Sequence, residues 1–163
     1  MRFIQLSKAA LVACAALFFT LAAFGNVTDY GSNWQFVQHV LAMDTIFPYS
    51  ALHWRAITSP ALQGVAYWLI IAWEVVTAVI LWIGVIRLFR PKSAAEFTSA
   101  KPAAVLGLTM GFILYAMGFV DIGGEWFAMW QSRTWNGQQT AFELLAMISA
   151  VLIILLIPEA AEG

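Results

Sequence analysis

The sequence predicts an all-α integral membrane protein, a bundle of four transmembrane helices, and three observations carry that reading. Of 163 residues, 62% are hydrophobic, only 8 are Lys or Arg and 9 are Asp or Glu. A soluble domain of this length, at about 25% charge, would carry roughly 40 charged side chains. Mean hydropathy is +0.81, too apolar to cover a water-soluble globule. Long apolar runs without period-two alternation call for helices, because backbone groups in lipid must be satisfied within their own segment. Disorder is excluded by the apolar content, a disulfide scaffold by the single cysteine, and nucleic-acid binding by a net charge of −1 without a basic stripe.

A crossing of the roughly 30 Å hydrocarbon layer needs about 20 apolar residues. The first span is Ala9 to Gly25, extendable back to Phe3 if Lys8 snorkels to the interface. The second is Leu62 to Ile86, with Ser59 placed to cap it and Pro60 at its first position. The third runs from Ala103 to Val120 behind Pro102, and the fourth from Thr140 to Ile157, stopped by Pro158. The chain is thus one membrane domain, with loops over 26–61 and 121–139 and a link over 87–102.

Short loops rich in Lys and Arg stay in the cytoplasm. Arg2 and Lys8 precede the first helix, and Arg87, Arg90, Lys92 and Lys101 lie in the link. The two remaining segments hold only Arg55 and Arg133. Both termini are therefore expected in the cytoplasm and both loops outside. The basic start also fits a signal peptide, and Leu11-Val12-Ala13-Cys14 resembles a lipoprotein processing box. The apolar stretch before Cys14 is very short for that, so the first helix is expected to be retained and Cys14 to pack within it.

Small residues at helical spacing, Ala9, Ala13, Ala16, Thr20 and Ala23 on the first helix and Gly107, Gly111 and Gly118 on the third, form strips for close helix packing. The outer loops carry their own pattern. Between Ser32 and Met43, Trp34, Val37, Val40 and Leu41 line one helical side and Gln35, Gln38 and His39 another, which predicts a short amphipathic interfacial helix ended by Pro48. The other loop is expected to repeat the theme: Gly123-Gly124 ends the third helix, and a short piece bearing Trp126, Met129 and Trp130 follows before an Asn136-Gly137 turn. Trp34, Trp54, Trp126, Trp130 and Trp135 all lie in these loops, so an ordered aromatic cap able to dock a partner is expected there.

The strings NWQFVQHVLAMDT, HWRAI and WFAMWQSRTWNGQQTAFE resemble a bacterial family of predicted small integral membrane proteins, a domain of unknown function. The resemblance covers nearly the whole chain and implies four helices in a bacterial inner membrane. It implies no activity, cofactor or catalytic residue.

Among residues able to carry chemistry, Glu74 stands out at the midpoint of the second helix, where a charge costs upward of about 2.5 kcal/mol. It should face the bundle interior, with Tyr67 and Thr77 on the same helical face and Tyr115 at comparable depth. Glu143 completes this polar set, one turn into the fourth helix, where the dipole favours it and it can snorkel outward. His39, Asp44, His53 and Arg55 form a second set of polar contacts in the first outer loop. They lack metal-ligand spacing, and each His is expected to bond a carbonyl or a carboxylate such as Asp44. One cysteine cannot support disulfide exchange, and no nucleotide loop or nucleophile elbow is present.

The chain is therefore expected not to be an enzyme and to need no metal or cofactor. Its expected role is that of an accessory subunit or binding partner in a larger respiratory or transport complex, contacting lipid and other membrane subunits. Two alternatives remain: a proton-linked carrier titrating at Glu74, and a protein that contacts a quinone or lipid at the outer interface.

Overall fold

The computed structural model describes residues 2–91 and 93–159, which form helices joined by loops, with no strand among them; Lys92, one of the cations of the link, lies outside the described residues. The helices are α1 (Arg2–Thr28), α2 (Tyr30–Ala42), α3 (Pro60–Leu88), α4 (Ala94–Ala100), α5 (Pro102–Ile113) and α6 (Gln138–Leu156). A π-helical segment, Leu114–Trp126, continues α5 directly. Single 3-10 turns form at His53–Arg55 and Met129–Gln131. Among the described residues, four helices are long and apolar enough to cross a membrane: α1, α3, α5 with its π extension (Pro102–Trp126), and α6.

The helix boundaries follow local chemistry. Pro60 opens α3, its missing N–H falling where no intrahelical acceptor exists. Ser59 contributes its carbonyl to Gln63 N at 3.0 Å. Ser93 caps α4 by accepting from Glu96 N. The amphipathic helix α2 does not run to Pro48 but stops at Met43, whose left-handed backbone (φ 52°) turns the chain while its N–H bonds Val40 O. Gly123-Gly124 does not end the third span, since the π helix carries on to Trp126 and closes with Phe127 N bonded to Ile122 O. The expected second amphipathic helix reduces to one turn, entered through Ala128 at φ 52°.

The chain divides into two compact units. One comprises Met1–Ala22, Glu74–Phe112 and Ala146–Gly163. Its core contains Val12, Phe19, Leu81, Leu108, Ile148 and Leu155. Close helix packing is visible at three glycines. A Cβ on Gly84 would lie 2.7 Å from Ala104 Cα and N, one on Gly107 2.7 Å from the Leu81 side chain, and one on Gly111 2.5 Å from the Phe19 ring. Trp82 Nε1 donates to Thr20 Oγ1 at 3.0 Å. Ala9 and Ala16 of the first strip are fully buried. Cys14, expected to pack, is exposed instead, because its position on α1 lies off the buried face of Val12, Ala15, Ala16 and Phe19.

The other unit comprises Ala23–Trp73 and Ile113–Leu145. Here the core is built from loops as much as from helices. Val37, Val40 and Leu41 of α2 pack with Met43, Ile46, Tyr67, Ile71, Phe127, Ala128 and Met129. Buried loops must satisfy their backbone. Ile57 N donates to Leu41 O at 2.8 Å, Phe47 N to Gln131 Oε1 at 3.2 Å, and Gln63 Nε2 to Ile57 O at 2.7 Å. Ser132 Oγ accepts from Thr134 N and Trp135 N and shares a 2.8 Å hydrogen bond with Thr45 Oγ1.

Candidate functional site

The intramembrane polar set separates on burial. Tyr67, Glu74, Thr77 and Tyr115 are all buried, so the helical face deduced for α3 is the one turned inward. Glu74 is not left without a partner there. Tyr67 spans two roles: its hydroxyl donates to Asn26 O at 3.1 Å, and its ring lies 4.8 Å from that of Tyr30. Tyr115 packs its ring 5.3 Å from Phe119. Glu143 stands apart, exposed on α6 and accepting from Gln139 Nε2 at 2.9 Å, one helical turn earlier. Its place in the first turns of α6 lets it reach the polar side, so it needs no buried partner.

The first-loop polar residues do not converge on one point. His39 Nδ1 meets both Asp44 carboxylate oxygens, at 2.8 and 3.0 Å, and the imidazole stacks on Trp135 with 4.7 Å between ring centroids. His53 takes a loop carbonyl, with Nε2 3.2 Å from Phe47 O. Among the described residues, no group of three His, Cys, Asp or Glu is placed to hold a metal ion.

Arg55 belongs to the aromatic cap instead. Its guanidinium carbon lies 4.7 Å from the Trp126 ring centroid and 5.4 Å from that of Trp54, within the range of cation–π attraction. Arg55 Nη1 donates to Trp126 O at 3.2 Å, which fixes the fork against the end of the π helix. The two indoles meet edge to face at 5.9 Å. Trp54 is nevertheless 72% exposed and Trp126 48%. The 3-10 turn His53–Arg55 carries both Trp54 and Arg55. Phe47, Tyr49 and Trp130 form a second exposed aromatic group, with Trp130 edge-on to Phe47 at 6.0 Å.

Trp34 and Trp135 differ from the other loop tryptophans. Both are partly buried against the loop core, where Trp34 stacks on Tyr30 and Trp135 on His39. They hold the cap together rather than offering a surface.

A charged cluster escapes sequence reasoning. Lys8 does not snorkel; it is buried, and its Nζ donates to Glu159 Oε1 at 2.6 Å and to Ile157 O at 2.7 Å. Lys101, equally buried, reaches Glu159 Oε1 at 3.0 Å and Ile157 O at 3.2 Å. Burial alone would raise the Glu159 carboxyl, but the hydrogen bonds and charges of Lys8 and Lys101 outweigh it and hold the carboxyl below its ordinary range. The available signal was an acid just past Pro158 on a chain with few acids to spare. Its partners lie far off in sequence, and spacing cannot reveal them.

Comparison with curated proteins and with solved structures finds no match. The family model described as predicted small integral membrane protein, DUF2165, matches residues 4–158. With four apolar helices of crossing length and a family match over nearly its full length, this chain belongs to the DUF2165 family of predicted small integral membrane proteins.

Proposed function

We propose that this integral membrane protein is a non-catalytic accessory subunit of a larger assembly in a bacterial inner membrane, and that the Trp54–Arg55–Trp126 platform docks its partner. The observation that carries this reading is the exposure of two tryptophans around an arginine already held by a backbone carbonyl. Trp and Arg are the side chains most enriched where truncation costs a complex most of its affinity. A pre-ordered platform also loses little conformational freedom on binding. The cations at Arg2, Arg87 and Arg90 favour cytoplasmic termini, which puts the platform on the outer side. The carrier reading has less support, since α3 runs unbroken through Glu74 whereas carriers use interrupted helices at the midplane.

The test is purification in mild detergent at native expression, combined with a photo-crosslinking side chain at position 54. A stoichiometric protein partner, crosslinked at 54 and lost with Trp54→Ala or Arg55→Ala, is expected. A lone monomer, or crosslinks to lipid only, overturns the reading.

A further inference from the structure

The loop-bearing unit encloses a half-open cavity of about 240 Å³ whose lining side chains are all apolar. One wall is the π helix, through Leu114, Gly118, Phe119, Ile122 and Gly123. At about 4.4 residues per π turn these five positions fall within an arc of about 115°, whereas in an α-helix they would spread over about 180°. The wide turn is what gathers them into one concave wall. Gly118 deepens it: a Cβ there would touch only Leu114, at 3.7 Å, in contrast to the crowded Gly84, Gly107 and Gly111. The opposite wall comes from Phe36 and Leu41 of α2 and from Ala66, Leu69 and Ile70 of α3.

Three properties define what this space accepts. It offers no polar side chain, so water has no partner there and a headgroup or quinone ring has no donor. Two lining residues, Leu69 and Ile122, are 65% and 44% exposed on helices of membrane-crossing length, so the mouth faces hydrocarbon. Leu69 lies five residues from the middle of α3, about 7.5 Å along its axis, well inside a half-layer of about 15 Å. An apolar cavity of about 150 Å³ takes one benzene ring, so this volume takes roughly nine or ten chain carbons.

We propose that the cavity binds one acyl chain of a membrane phospholipid, admitted from the bilayer past Leu69 and Ile122. The site is separate from the Trp54–Arg55–Trp126 platform and does not rest on the docking reading. The acyl chain would fill the space that the π turn and Gly118 leave, and its headgroup would stay in the polar layer.

The full chain is reconstituted in vesicles of phosphatidylethanolamine and phosphatidylglycerol doped with a phospholipid bearing a diazirine in its acyl chain. After irradiation, labelled peptides are mapped. Labelling at Phe36 and Phe119 is expected to exceed that at Val79 and Ile83, which are exposed on α3 outside the cavity, by about fivefold or more, as a retained chain requires. Gly118→Leu, filling the cavity from the π wall, is expected to bring it down to the Val79 and Ile83 level. Ala66→Phe, filling it from α3, serves the same purpose if the first variant does not fold. Equal labelling at all four positions in the unaltered protein overturns the proposal. So does labelling insensitive to a correctly folded filled variant, or native mass spectrometry that releases an isoprenoid lipid in place of a phospholipid.

Discussion

The two compact units fill their interiors differently. In the unit containing Gly84, Gly107 and Gly111, backbones approach until a single added carbon would collide, and a buried carboxylate bridges two lysines. In the loop-bearing unit, aromatic rings and loop hydrogen bonds fill the interior, and its glycines divide: a Cβ on Gly124 or Gly137 would crowd Gln138 or Phe36, whereas Gly118 leaves space open. Lipid supplies little hydrophobic drive between helices, so association rests on close contact and polar links. Where the glycines are crowded, at Gly84, Gly107 and Gly111, the helices are in direct contact. Where an extra residue per turn displaces the backbone, a space forms.

The largest expected effect falls on the ion cluster. Glu159→Ala removes the carboxylate from two buried lysines and should cost about 3 kcal/mol, the low end for breaking a buried pair, because Ile157 O remains as acceptor. Denaturation in mixed micelles measures it, and an unchanged midpoint would show that the cluster is dispensable. The same group sets an acid limit. Its folded pKa lies below the ordinary value of 4.5, so its contribution is complete above about pH 4.5 and fades as pH falls through the depressed value. Glu159→Gln should flatten that acid limb.

Next come the glycines, whose contrast is the direct test of the two packing modes. Gly84→Ala forces a methyl group against the Ala104 backbone and should destabilise by about 2 kcal/mol. Gly118→Ala adds a methyl group that makes one ordinary contact, with Leu114, and should be neutral or stabilising by up to about 1 kcal/mol. Equal losses at both sites would erase the distinction. His39→Ala removes a stacked ring and a half-exposed Asp44 contact, for about 1 kcal/mol on thermal unfolding. Smallest in stability is Trp54→Ala, within about 0.5 kcal/mol because the ring is largely exposed. If the platform docks a partner, that same variant weakens the complex by about tenfold or more in a pull-down titration.

Much of this architecture is legible in the chain. The four spans follow from apolar runs longer than any soluble core requires, and the inward face of α3 follows from the spacing of Tyr67, Glu74 and Thr77. The amphipathic spacing of Trp34, Val37, Val40 and Leu41 marks α2 and its buried side. Such features depend on one segment and its surroundings, and periodicity reports them.

Contacts between distant segments are a different matter. Lys8 and Lys101 read as solvated cations until Glu159 is brought to them, and only the fold sorts Trp54 and Trp126, exposed around Arg55, from Trp34 and Trp135, which are packed inside. The π helix is the sharpest case. Leu114 to Trp126 has the composition of an ordinary apolar helix, and hydropathy cannot distinguish i→i+4 from i→i+5 bonding. Composition and periodicity thus determined that the chain enters the membrane, how many times it can cross and which faces are buried, because those depend on transfer free energies of local segments. The tertiary structure alone decided which buried charges pair, which tryptophans form a surface and where a cavity opens, because those depend on which segments meet.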